Sequence, residues 1–96
     1  MPPAEDYTLE EARQTLAALR DMSPDGLRLP LTNADLAVVQ AAGVEVKSAT
    51  QGLLDFPAEI EGIPAYWCWQ VGEAEIEWWH PRHTGFADRR RVPAAS

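Results

Sequence analysis

The tightest constraint on this chain lies in residues 53–81, where three apolar, aromatic-rich runs are separated by breaks of two residues, Glu61-Gly62 and Gly72-Glu73. A two-residue break can only reverse the chain into an antiparallel neighbour, because a parallel crossover needs a dozen or more residues. Such a loop also fixes which residues face one another. With Glu61 and Gly62 as the first loop, Ala58 falls opposite Ala65, Phe56 opposite Trp67 and Leu54 opposite Trp69. With Gly72 and Glu73 as the second, Trp69 falls opposite Ile76, Trp67 opposite Trp78 and Ala65 opposite His80. Side chains alternate across a strand. The rows Leu54, Trp69, Ile76 and Phe56, Trp67, Trp78 are therefore expected on one face, the core. The other face then receives Leu53, Gln70 and Glu75, next Asp55, Cys68 and Glu77, and finally Pro57, Tyr66 and Trp79.

Before residue 44 the apolar period is 3.6 rather than 2. Thr8 begins a helix by capping its amides, and Glu11 reaches back in a capping box. Leu9, Ala12, Leu16 and Leu19 form one apolar stripe over residues 9–21. Ser23, Pro24, Asp25 and Gly26 make a turn, and residues 27–31 an apolar connector. Thr32 or Asn33 caps a second, shorter helix carrying Leu36, Val39 and Gln40, with Gly43 placed for a left-handed C-terminal cap. Residues 44–47 alternate as a short strand whose place in the sheet is left open. The 96 residues suffice for one domain, with 1–6 and 92–96 expected as frayed tails. The expected fold is α+β: two N-terminal helices packed on one face of a three- to four-stranded antiparallel β-meander.

Charge restricts the partners. All 15 acidic residues but only Arg13, Arg20, Arg28, Lys47 and Arg82 among the bases lie in residues 1–88, and the whole chain carries a formal −7. Such a body repels nucleic acid and anionic membrane. Arg89, Arg90 and Arg91, with Arg82, are candidates for touching an anion, although so short a run more commonly forms a solvated tail. No run approaches the roughly 18 apolar residues of a membrane span, and residues 1–10 are acidic where a signal peptide would be basic. A cytoplasmic address follows as the expectation, and the lone Cys68 leaves the fold without an internal disulfide.

Several segments together resemble one family. Tyr7-Thr8-Leu9-Glu10-Glu11-Ala12, Gly43-Val44-Glu45-Val46-Lys47, Gly52-Leu53-Leu54-Asp55-Phe56-Pro57, Cys68-Trp69, Gly72-Glu73, Trp79-His80 and Gly85-Phe86 fall in the order and approximate spacing of small bacterial proteins grouped as domain of unknown function 2203. Relatives usually have a longer helical region before the Gly-Val-Glu-Val segment, so residues 21–31 look shortened here. Where relatives tend to have an acid after Trp-His, this chain has Pro81, Arg82 and His83. The resemblance implies a shared fold and brings no activity.

Among residues able to carry chemistry, Glu73, Glu75, Glu77, His80 and His83 are the densest set of potential metal ligands. Glu77 and His80 are spaced as in helical di-iron sites, but in a strand that spacing points the two side chains to opposite faces. His80 and His83 meeting across Pro81, with Glu77, would be the ligands if a divalent metal such as zinc is bound; no other cofactor is expected. Asp55 and Glu77 flank Cys68 about 10 Å apart, room for a water between acid and base. A flat sheet face lacks the cleft such catalysis needs, and two acids disfavour the Cys68 thiolate. We assign no catalytic residue. His80, at the end of the expected core face beside Ala58 and Ala65, should bond a carbonyl or a carboxylate. Trp79 is the aromatic residue left over from the core. With Tyr66 and Pro57, and Glu77 at the rim, it forms a candidate docking patch. The expected function is a non-catalytic binding or assembly module, forming a homodimer or holding a protein partner. The alternative is a small metal-dependent enzyme or metal binder using His80, His83 and the acids at 73–77.

Overall fold

The computed structural model describes residues 6–92 of the chain. The tails expected at 1–6 and 92–96 lie outside the described residues except for Asp6 and Val92. Asp6 accepts a hydrogen bond from Arg82 Nη2 at 2.8 Å, and the Val92 N–H donates to Glu77 O at 2.8 Å.

Helix α1, Leu9–Met22, is capped by Thr8, whose hydroxyl accepts from the Glu11 N–H at 3.1 Å while the Glu11 carboxylate accepts from the Thr8 N–H at 2.9 Å. Its stripe of Ala12, Leu16 and Leu19 is buried. Helix α2, Asn33–Ala41, has the same device in Thr32 and Asp35. Gly43 stops α2 with φ +79°, a left-handed conformation that costs a residue with a Cβ, and its N–H donates to Gln40 O at 3.0 Å.

Among the described residues five antiparallel strands follow in chain order: β1 Glu45–Ser48, β2 Leu53–Ile60, β3 Ile63–Gln70, β4 Trp78–Pro81 and β5 Arg90–Arg91. The meander thus exceeds the expected three to four strands, because β1 joins one edge and β5 the other. The helices cover one face, where Leu54, Phe56, Trp69 and Ile76 meet Ala12, Leu16, Leu19, Leu27, Leu31, Val39 and Val44. Burying each of the larger of these side chains is worth roughly 1.5–3 kcal/mol. Tyr7 fastens the segment before α1 to this layer. Its ring stands edge-on to Phe56 with centroids 5.5 Å apart, its N–H donates to Pro57 O, and its carbonyl accepts from the Trp67 indole at 2.8 Å.

The β2–β3 register is the expected one throughout, with Ala58 opposite Ala65, Phe56 opposite Trp67 and Leu54 opposite Trp69. Glu61 and Gly62 make the loop with φ of +53° and +79°, the two left-handed residues of a type I′ turn. The β3–β4 register is not the expected one. Ala65 faces Pro81, Tyr66 faces His80, Trp67 faces Trp79 and Cys68 faces Trp78, a slip of one residue that sends every β4 side chain to the opposite face.

The cause lies in residues 71–77. The chain turns one residue early, with Glu73 N–H donating to Gln70 O at 3.0 Å around Val71 and Gly72. Gly72 has φ +106°, which the third position of such a turn favours. The chain then swings wide, so that Ile76 enters the core fully buried ahead of β4 rather than within it. Groups across the core hold this excursion. Arg13 donates from Nε and Nη2 to Ile76 O at 3.2 and 2.7 Å, while Arg20 and the Trp69 indole donate to Glu73 O at 3.0 and 2.9 Å.

The turn makes a prediction. Asparagine tolerates left-handed φ better than glutamate, so Glu61→Asn should raise stability by about 0.5–1 kcal/mol. An unchanged or lower urea midpoint would argue against a type I′ loop.

Candidate functional site

On the sheet face away from the helices, alternation brings together residues from three strands. Asp55 of β2 faces Cys68 of β3, and His80 of β4 faces Tyr66 of β3. The segment after β4 returns across this face through Thr84 and Gly85, and with Lys47, Leu53, Asp55, Cys68 and His80 they line a pocket of about 260 Å³. Asp55, Cys68 and His80 are only 2, 2 and 3% exposed. Their ligand-type atoms, a carboxylate oxygen, a thiol sulfur and an imidazole nitrogen, lie within 4.8 Å of one another.

The hydrogen bonds of His80 restrict its proton. Nδ1 lies 2.8 Å from Pro81 O, and a carbonyl oxygen only accepts, so Nδ1 carries a hydrogen. In a neutral ring Nε2 is then an acceptor. Nε2 lies 3.0 Å from Asp55 Oδ2, so the bond needs a proton from one of two sources. Either the Asp55 carboxyl is protonated and donates, or the ring is an imidazolium paired with a carboxylate. The pair shares one proton in both cases. Burial, opposed by the nearby imidazole and by the weakly donating Cys68 thiol, pushes the Asp55 carboxyl above its ordinary value. Its second oxygen, Oδ1, is buried without a hydrogen-bond partner of ordinary geometry.

The other buried carboxylate among the described residues behaves differently. Burial works against the Asp35 anion as well, but the Ser23 hydroxyl and the Thr32 N–H and hydroxyl hold its carboxyl below its usual value. Asp35 is a satisfied structural cap, whereas Asp55 stands half satisfied at a pocket wall. Burial and then the neighbouring Asp55 push the Cys68 thiol up to about 12, which makes it a poor nucleophile. At the rim, Tyr66 Oη donates to Glu45 Oε2 at 2.7 Å, and Lys47 Nζ donates to Glu45 Oε1 at 2.8 Å while standing 4.7 Å above the Tyr66 ring.

The other residues singled out in the sequence are dispersed. Tyr66 and Pro57 are buried on the pocket face, but the slipped register carries Trp79 to the helix face beside Trp67, so the Tyr66 and Trp79 rings share no surface. Glu77 is exposed and paired with Arg91 at 3.3 Å, and His83 is exposed beyond β4. Of the expected metal set only His80 stands in a cluster of potential ligands, and it lies on the pocket face rather than on the core face. The arginines do not converge either. Arg82 donates to Ala65 O, Ala58 O and Asp6, Arg89 donates to both Glu73 oxygens at 2.8 and 2.9 Å, and Arg90 pairs with Asp88. The guanidinium groups of Arg89 and Arg91 stand 5.0 and 5.1 Å from the Trp78 ring, and that of Arg90 stands 5.2 Å from Trp79.

The combination of Asp55, Cys68 and His80 is what the sequence reading missed. Asp55 and Cys68 were already opposite one another on the right face, but His80 was assigned to the other. The usable signal was Ile76, whose burial does not require it to lie in the strand.

The raised carboxyl of Asp55 has a pH consequence. A group whose folded value lies above its unfolded value contributes stability at low pH and loses it as pH rises through the folded value. Asparagine stays neutral throughout. Asp55→Asn should therefore gain on the wild type between pH 4 and pH 8. Urea unfolding at the two pH values measures the gap; a gap that widens in favour of the wild type would show a stabilising carboxylate instead.

No curated protein and no solved structure matches the chain. A family model described as "Uncharacterized conserved protein (DUF2203)" matches residues 28–92, which takes in the shared segments from Gly43 onward and starts after the opening Tyr7 segment. The pocket residues fall within that match, and the chain belongs to the DUF2203 family.

Proposed function

We propose that this protein is a non-catalytic binding module whose ligand is a small molecule or ion held in the pocket over Asp55, Cys68 and His80. Asp55 Oδ1, buried with no hydrogen-bond partner of ordinary geometry beside the weakly donating Cys68 thiol, carries this reading. A buried polar atom without a partner costs about 1–3 kcal/mol, and proteins keep such costs mainly where function needs the group. The pocket supplies both the space and the convergent polar groups that ligand sites combine. A docking patch of Tyr66 with Trp79 has lost its geometric support, so we place recognition in the pocket. A buried free thiol accords with a reducing cytoplasm as the working compartment.

A catalytic role is the second reading. It is favoured by the proton shared between Asp55 and His80, since a carboxyl and an imidazole at a pocket wall are the groups used in general acid–base chemistry. The protonated Cys68 thiol weighs against the nucleophilic version of that idea.

Native mass spectrometry of the protein as purified, beside Asp55→Asn, tests the binding proposal. We expect an adduct on the folded wild type that is absent from the folded variant. Bare masses in both samples, together with a variant less stable than the wild type, would make Asp55 a structural residue and contradict the proposal.

A further inference from the structure

We propose that Asp55, Cys68 and His80 are the ligands of a zinc-class divalent metal ion, bound through a carboxylate oxygen, Sγ and Nε2. The inference rests on the pocket reading above and names its ligand.

The geometry supports it in four ways. First, the three donor atoms are mutually within 4.8 Å, so they need to draw in by less than about 1 Å to reach zinc–ligand distances of about 2.0–2.3 Å. Second, the Nδ1–H of His80 is held by Pro81 O, so Nε2, which faces Asp55 Oδ2 at 3.0 Å, is the nitrogen left to bind the ion once the proton between them is released. Ligating histidines are almost always oriented by such an outer partner. Third, Asp55 Oδ1 is a buried acceptor without a donor of ordinary geometry, so the carboxylate has capacity that the protein does not use. Fourth, three protein ligands beside a pocket leave a coordination position open, as at zinc sites that bind an exogenous group.

The donor set also chooses the metal. A thiolate and an imidazole with one carboxylate suit zinc or cobalt, whereas magnesium and calcium demand oxygen donors. The site does not carry excess charge in the metal-free chain, because Cys68 is a thiol and the Asp55–His80 pair holds a proton. Binding releases the thiol proton and the shared proton to solvent, leaving a thiolate, a carboxylate and a neutral imidazole around the dication. His83 and Glu77, expected as ligands on sequence grounds, have no part in it.

The test uses the full chain, stripped with chelator and titrated with cobalt(II), then with zinc. The expected result is one cobalt per chain with near-ultraviolet thiolate-to-cobalt absorption, displaced by zinc and unaffected by magnesium. Cys68→Ser, confirmed folded by circular dichroism, should lose the absorption. Asp55→Asn should weaken binding by more than the roughly 10–100-fold that loss of an outer-shell partner costs. His83→Ala should bind as the wild type does. Absence of the absorption from the folded wild type, its survival in Cys68→Ser, or its loss in His83→Ala would each overturn the proposal. A native-mass adduct that depends on Asp55 but is organic would overturn the metal while leaving the pocket reading intact.

Discussion

The pairing of Tyr66 with His80 across β3 and β4 decides what this molecule can do. A strand has two faces and no intermediate setting, so displacement by one residue exchanges Trp78 and His80 for Trp79 and Pro81 across the sheet. In the observed register the imidazole meets Asp55 and Cys68 in a nearly dry environment. In the other register it would meet Ala58 and Ala65, and the polar cluster would have no imidazole. The choice is made outside the strands. Ile76 gains by leaving water for the core, and Arg13, Arg20 and the Trp69 indole satisfy the carbonyls of the wide loop this requires.

Local chemistry was legible in the sequence where it acts over a few residues. The capping box of Thr8 with Glu11, the cap of the second helix at Thr32 or Asn33, the left-handed Gly43 and the Glu61-Gly62 turn all depend on neighbours within four positions. The β2–β3 ladder followed from that turn. Gly72-Glu73 offered an equally acceptable two-residue loop by local rules, since glycine suits its first position. Contacts from α1, more than fifty positions away, overrode it. Half of the site was visible, because Asp55 and Cys68 lie on the well-determined hairpin. His80 was misplaced by one residue of register, Lys47 was not seen as a pocket residue because the place of its strand in the sheet was open, and Thr84 and Gly85 were not seen because loops returning over a sheet leave no periodic trace.

The basic run at residues 89–91, which invited a functional reading, has a physical one. The C-terminal arginines stack their guanidinium groups on Trp78 and Trp79 and pair with Glu73, Glu77 and Asp88, so the basic run closes the sheet edge and offsets part of the chain's acidity. Among the described residues no helix is long and apolar enough to cross a membrane. The contrast between Asp35 and Asp55 remains. One buried carboxylate is surrounded by donors at a helix start; the other shares a proton with an imidazole and leaves an oxygen without a partner of ordinary geometry at the pocket wall. The first stabilises the fold, and the second is the polar group whose burial the fold alone does not explain.

Cross-strand proton contacts measured by nuclear Overhauser spectroscopy test the register most directly. Backbone contacts joining Trp67 to Trp79 and Tyr66 to His80 are predicted. Contacts joining Trp67 to Trp78 and Ala65 to His80 would return the imidazole to the core face and dissolve the site.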